Sequence, residues 1–213
     1  MTSIQPHNLF SQIESFDLPD ATLIYHPDCF SLTQSNDLLD QLLDPTVIEW
    51  QQKSIKIFNR VIPEPRLNAW YGDEDAVYTY SGLVNYPLPW IPVLLDLKYH
   101  VEQVTQTSFN SVLLNRYRNG QDSMGWHSDD EPELGQNPVI ASLSFGATRQ
   151  FQFKHRTNKK LPLHRISLTA GSLLVMSGTT QQYWKHCLPK VRLSESVGER
   201  VNLTFRNIKH RLY

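Results

Sequence analysis

The segment Arg200-Val201-Asn202-Leu203-Thr204-Phe205-Arg206 alternates strictly between polar and apolar residues. Successive side chains of an extended strand point to opposite faces, so Val201, Leu203 and Phe205 share one surface while Arg200, Asn202, Thr204 and Arg206 share the other. Two architectures carry such a pattern. One is an edge strand with its polar face in water. The other is the wall of a barrel interior, where two arginines on one strand grip the two carboxylates of a small diacid. Guanidinium forks suit that task because they bind carboxylates bidentately and stay charged when dehydrated. Asn115 and Tyr117, again two apart on an expected strand, add an amide and a phenol to the second arrangement.

Further strands are expected at 111–118, 139–145, 150–155, 165–168 and 173–176, separated by turns such as Asn119-Gly120 and Ala170-Gly171, before the strand at 200–207. Shorter ones are expected at 54–58 and 77–81. A helix is expected from about Ser35, capped by Ser35 or Asn36, with Leu38, Leu39, Leu42 and Leu43 on one face and Asp44-Pro45 as its end. A second covers about 91–104, with Pro92 in its first turn. The first thirty residues read as irregular, because Pro6, Pro19 and Pro27 interrupt any period. Helices followed by many short strands indicate a mainly β (α+β) fold, a jelly-roll core with the N-terminal helices packed outside.

The 213 residues suit one domain, 1–213, with a proper core. At 40% hydrophobic and 19% charged, the composition excludes a disordered tail, and Cys29 and Cys187 alone make neither a disulfide framework nor a zinc site. No apolar run approaches the roughly 18 residues of a membrane helix, so the expectation is a monomer without a membrane partner, in the cytoplasm or, in a eukaryote, the nucleus. The net charge of −1 hides an asymmetry: residues 1–100 hold 5 Lys/Arg against 13 Asp/Glu, and residues 101–213 hold 15 against 8. The basic half can meet phosphates.

In Trp126-His127-Ser128-Asp129-Asp130-Glu131, side chains two apart on an extended segment point the same way, which lets His127 and Asp129 share a metal. His186, 57 positions after Asp129, can complete a set of two imidazoles and a carboxylate. That set leaves coordination positions open, as a non-haem Fe(II) centre requires. The His-x-Asp pattern is common, and His26-Pro27-Asp28 repeats it within the irregular N-terminal stretch. The basic run Lys154-His155-Arg156, Lys159-Lys160 and His164-Arg165 reads as a phosphate-contacting rim or as a solvated hairpin.

Over about residues 50–208 the chain resembles the AlkB family of iron(II)/2-oxoglutarate dioxygenases. The likeness runs through Leu114-Asn115-Arg116-Tyr117, Gly120, His127-Ser128-Asp129, Ser142-Leu143-Ser144-Phe145-Gly146, Gly171-Ser172-Leu173, His186 and the 200–206 segment. Tyr78-Thr79-Tyr80-Ser81-Gly82 and Pro89-Trp90-Ile91-Pro92 bring it nearest to the branch that repairs duplex DNA. The resemblance implies a double-stranded β-helix core at about 106–213, preceded at about 1–105 by an N-terminal extension, a nucleotide-recognition lid and supporting helices. It also implies Fe(II) on His127, Asp129 and His186, and 2-oxoglutarate on Asn115, Tyr117, Arg200, Asn202 and Arg206, with Thr204 on the same strand face. Dioxygen is the other cosubstrate, and alkylated DNA, single-stranded or duplex, with RNA as a further candidate, is the substrate. Tyr80 and His127 would then sandwich a flipped base, Glu131 would meet its exocyclic amine and Tyr78 would line the pocket. Phe58 stands where that branch carries an apolar wedge, although Asn59 replaces the usual glycine, and Arg66 matches a residue near its DNA-binding surface.

By the same resemblance, 2-oxoglutarate decarboxylation to succinate is coupled to hydroxylation of the N-alkyl carbon, which leaves as formaldehyde. Competing readings are an oxygenase with these cofactors and an RNA, protein or small-molecule substrate, a nucleic-acid binder without catalysis, and a zinc hydrolase on the same three ligands. The last leaves Arg200 and Arg206 unexplained.

Overall fold

The computed structural model describes residues 12–57, 60–80 and 83–209. In chain order these form β1 (Glu14–Phe16), β2 (Thr22–His26), α1 (Leu32–Leu43), β3 (Ser54–Ile57), β4 (Arg60–Pro63), β5 (Leu67–Gly72), β6 (Tyr78–Tyr80) and β7 (Leu83–Asn85). There follow α2 (Pro92–Thr105), β8 (Ser111–Tyr117), β9 (Met124–His127), a 3-10 turn at Pro132–Leu134, β10 (Ile140–Gly146), β11 (Arg149–His155), β12 (His164–Leu168), β13 (Ser172–Ser177), α3 (Thr180–Tyr183), β14 (Trp184–Leu188) and β15 (Arg200–Arg206).

A seven-stranded sheet in the order β1-β2-β13-β10-β15-β8-β5 faces a four-stranded sheet in the order β12-β11-β14-β9, and β3-β4 and β6-β7 form separate hairpins. All the ladders are antiparallel. Strand β15 pairs on one side with β10 and on the other with β8, so it is a central strand and the edge-strand alternative falls.

Its two faces serve two cores. Val201, Leu203 and Phe205 are fully buried among Ala141, Leu143 and Phe145 of β10 and Leu42, Leu94, Leu97 and Val101 of the helices. Each such side chain contributes roughly 1.5 to 3 kcal/mol of burial free energy, and this packing holds α1 and α2 outside the sheet. On the opposite face Trp70, Ile140, Leu174 and Met176 meet Phe153, Ile166, Leu168 and Trp184 from the smaller sheet. The polar residues of β15 lie on this inner side. The jelly roll is thus mainly β with helices outside, as expected, and no helix among the described residues is long and apolar enough to cross a membrane.

Two local expectations need correction. Residues 22–26 are not irregular: β2 pairs with β13, with Leu23 and Tyr25 buried, and its five-residue alternation is too short to stand out between Pro19 and Pro27. The larger sheet therefore takes β1, β2 and β5 from before residue 106. Helix α1 begins earlier than Ser35. Ser31 is its N-cap, accepting from the Gln34 amide at 3.3 Å while the Gln34 side chain accepts from the Ser31 amide at 3.0 Å, a capping box. Ser35 lies inside the first turn, buried, its hydroxyl donating to the Ser31 carbonyl at 2.8 Å. The second helix starts at Pro92, as expected. Phe58, Asn59, Ser81 and Gly82 lie outside the described residues.

Because the capping box satisfies two otherwise orphaned amides, Ser31→Ala is expected to lower stability by about 1 kcal/mol in urea unfolding, whereas Asn36→Ala should change it by much less.

Candidate metal and cofactor site

The site lies where β9 and β14 meet inside the smaller sheet. His127 and His186 are direct cross-strand partners, with their Nε2 atoms 3.1 Å apart and a register shift between His186 and Leu188. Asp129 Oδ2 stands 3.6 Å from His186 Nε2. These three side chains form the one cluster of three or more His, Cys, Asp or Glu groups close enough to share a metal among the described residues, their donor atoms lying within 4.8 Å of one another. The other His-x-Asp copy is not part of it: His26 ends β2, opposite Leu173.

The donor chemistry fits a divalent cation. His127 Nδ1 lies 2.9 Å from the Gly125 carbonyl, which can only accept, so Nδ1 carries the proton and Nε2 offers its lone pair. His186 is 2% exposed, and burial, reinforced by Arg206 and only partly opposed by Asp129, holds its pKa at about 3, hence neutral. Burial alone would raise the Asp129 carboxyl, but the positive charge around it, the Arg206 guanidinium first, outweighs burial and brings it to about 2. Two imidazoles and one carboxylate converge, the donor set of a facial-triad centre. His186 Nδ1 has no hydrogen-bond partner; packing orients the ring, with Phe151 and Phe153 centred 5.1 and 5.9 Å away.

Asp129 is held from the larger sheet. Arg206 Nη2 donates to Asp129 Oδ1 at 2.6 Å. Along the same face of β15, Asn202 donates to Ser142 Oγ and to the Leu143 carbonyl, both at 2.9 Å, and Thr204 donates to Asn202 Oδ1 at 3.2 Å. Arg200, 2% exposed, donates to Ser144 Oγ at 3.0 Å and lies 5.3 Å from the centre of the Tyr117 ring, its cross-strand partner. Burial, only partly offset by Tyr117, lowers its pKa to about 10, so at neutral pH it remains a dehydrated cation. Its Nε has no partner, and no carboxylate among the described residues pairs with it. An anionic ligand would relieve that arrangement.

A cavity of about 120 Å³ opens beside the cluster, with His127, Asp129, Glu131, Arg66 and Arg206 among its lining. Arg66, expected near a DNA-binding surface, is 7% exposed: it pairs with Glu64 at 2.9 Å and its Nε donates to Asn115 Oδ1 at 2.9 Å. The backbones of Tyr78 and Tyr80 form β6, opposite Asn85 and Leu83, and their side chains are outside the description, as is Phe58. Of the basic run, Lys159, Lys160 and Arg165 are exposed, but His155 is buried, Lys154 lies over the Trp126 ring at 4.2 Å and Arg156 pairs with Asp130 at 2.7 Å.

Sequence reasoning gave no role to Gly125, Ser128 or Gln181, and it named Arg66 without the buried group that it forms with Glu64 and Asn68. Only the i, i+2 spacing of Glu64, Arg66 and Asn68 signals a shared face.

Asp129 also departs from expectation. Strand β9 ends at His127, so the carboxylate sits in coil and owes its place to side-chain bonds instead of the alternation of a strand.

A family model described as the 2OG-Fe(II) oxygenase superfamily matches residues 22–206. The chain is 42% identical over 191 residues to mouse alpha-ketoglutarate-dependent dioxygenase alkB homolog 3, covering 86% of this chain and 65% of the relative. It is 46% identical over 160 residues to the bovine DNA oxidative demethylase ALKBH2, covering 72% and 57%. The chain thus spans less than two thirds of the length of these relatives. The solved structure of OsALKBH1 superposes with a TM-score of 0.60 at 15% identity, covering 92% of this chain and all of that one, a likeness of fold.

The donor set predicts one Mn(II) site per chain by isothermal titration. Asp129→Ala should weaken it by about 100-fold or more, since loss of a ligand should exceed the 10- to 100-fold typical of its supporting partners.

Proposed function

Because the chain belongs to the 2OG-Fe(II) oxygenase superfamily, we propose that it is an AlkB-type enzyme removing alkyl groups from N-alkylated nucleobases, such as 1-methyladenine and 3-methylcytosine, in DNA. The observation that carries the reading is the union of the His127-Asp129-His186 cluster with a row of buried cationic and amide groups on one strand face, beside an open cavity. When bound, iron(II) with 2-oxoglutarate and dioxygen supplies the oxidation: the cosubstrate becomes succinate and the alkyl carbon is hydroxylated, then lost as formaldehyde.

The protein's own groups supply position and charge. His127, Asp129 and His186 hold the metal. Arg200 with Tyr117 receives the distal carboxylate of the cosubstrate, and Arg206, already beside Asp129, receives the carboxylate next to the keto group, with Asn115, Asn202 and Thr204 completing the wall. Glu131 on the cavity lining accepts from the exocyclic amine of the base, which Tyr80 and His127 would sandwich while Tyr78 lines the same pocket. Arg66, inside the cavity and paired with Glu64, shapes this pocket. In this reading residues 1–213 act as one catalytic domain and as a monomer, in the cytoplasm or nucleus. RNA is a further substrate to be compared with DNA.

Removal of 1-methyladenine and 3-methylcytosine from matched single-stranded DNA, duplex DNA and RNA tests the reading; no formaldehyde from any of them, with Fe(II) and 2-oxoglutarate present, would overturn it. Arg206→Lys keeps the charge but loses the fork, and should raise the 2-oxoglutarate concentration for half-maximal succinate formation markedly while leaving oligonucleotide affinity nearly intact. The wedge assigned to Phe58 rests on sequence. Phe58→Ala should slow duplex repair roughly tenfold, about 1.4 kcal/mol, with single-strand repair and melting temperature preserved; equal losses on both substrates would exclude a wedge.

A further inference from the structure

Residues 128–130 are coil, and a carboxylate on coil keeps its place only if neighbouring groups hold the backbone. Ser128 Oγ donates to the Trp184 carbonyl at 2.9 Å, and the Asp129 amide donates to Gln181 Oε1 at 3.0 Å. Gln181 is 1% exposed, and its Nε2 points at Met176 Sδ, 3.6 Å away. Turning the amide over would set an N–H donor against the Asp129 N–H and lose both contacts.

Gln181 belongs to α3, a single turn too short to hold its own position. Thr180 Oγ1 fixes its start, accepting from the Thr22 amide at 2.9 Å and donating to the Ser177 carbonyl at 2.6 Å, and Arg156 ties its other end. The Arg156 amide donates to the Tyr183 carbonyl at 2.7 Å, and its Nη1 donates both to the Gln181 carbonyl at 3.3 Å and to Asp130 Oδ2 at 2.7 Å. Beside it, buried His155 packs edge-on against Trp184 with ring centres 5.3 Å apart. One guanidinium therefore ties α3 to the residue after Asp129, while Gln181 ties α3 to Asp129 itself.

We infer that Arg156 and Gln181 are positioning residues for the Asp129 carboxylate, holding the 128–130 coil so that Oδ2 faces the two imidazole nitrogens. The inference rests on the metal-centre reading above. It gives Arg156 a role apart from the rest of the basic run: its Nη1 is engaged by Asp130 and Gln181, whereas Lys159 and Lys160 are exposed. Supporting partners of a ligand act by fixing its orientation, so their loss appears in metal affinity.

The test is Mn(II) titration of the full chain without oligonucleotide, with the melting temperature recorded for each variant. Arg156→Ala changes a side chain that is 34% exposed, so the core should survive it. Gln181→Leu is more severe. Both should weaken Mn(II) binding by about tenfold, and Arg156→Lys, which keeps a donor for Asp130, should recover part of the loss. A purely structural role would lower the melting temperature without moving Mn(II) affinity at a temperature where the variants are folded. Wild-type affinity in Arg156→Ala overturns the inference, and a raised KM for oligonucleotide in that same variant would identify a phosphate contact in its place. If Gln181→Leu does not fold, Arg156→Ala and Arg156→Lys decide alone. Absence of saturable Mn(II) binding in the wild-type chain would overturn the metal-centre reading, and this inference with it.

Discussion

The largely buried pair between Arg206 and Asp129 is the interaction on which the site depends. It spans the space between the sheets: Arg206 ends central strand β15, and Asp129 follows β9 of the smaller sheet, with 2.6 Å between the charged atoms. Two dehydrated charges this close must be matched, because removing one partner of a buried pair costs about 3 to 5 kcal/mol. The arginine keeps Asp129 ionised at neutral pH despite burial. The carboxylate is thus ready as a ligand before any metal arrives, and the guanidinium that prepares it stands where the proposed cosubstrate would bind.

The fold makes that pair possible by giving β15 two different faces. Val201, Leu203 and Phe205 fasten the strand to the helices, and β10 and β8 hold it from both sides, so its backbone cannot shift. The opposite face can then carry four polar side chains into the interior. Arg200 at one end of the row has burial and an aromatic neighbour but no countercharge among the described residues, whereas Arg206 at the other end has Asp129. This inequality is what a diacid with one end near a metal would require, and a zinc hydrolase has no use for it.

The smaller sheet contributes differently. Its ladder brings His127 opposite His186, and its inner aromatic residues Phe151 and Phe153 orient the second imidazole. Asp129 lies beyond the ladder and is secured by Ser128, Gln181 and Arg206 in turn. The basic run between the ligand segments is divided in the same way, some of it exposed and some serving the site from behind.

How much was legible beforehand follows from the range of each interaction. The alternation of residues 200–206, the leucine face of α1 and Pro92 at the start of α2 are local patterns with a local cause, and each was readable in the chain. The motif set that resembles AlkB enzymes named the ligand and cosubstrate candidates in advance. What the sequence could not disclose were facts set by partners far along the chain. Strand β2 exists because β13 offers it a ladder, and Arg66 is internal because Glu64 and Asn115 neutralise and receive it there. Asp129 is a ligand-ready carboxylate because Arg206, 77 residues away, lies opposite it once the sheets close. Local sequence determined which strands and faces form, since backbone geometry is a short-range property. The tertiary structure alone decided which charges meet, because that depends on how two sheets pack.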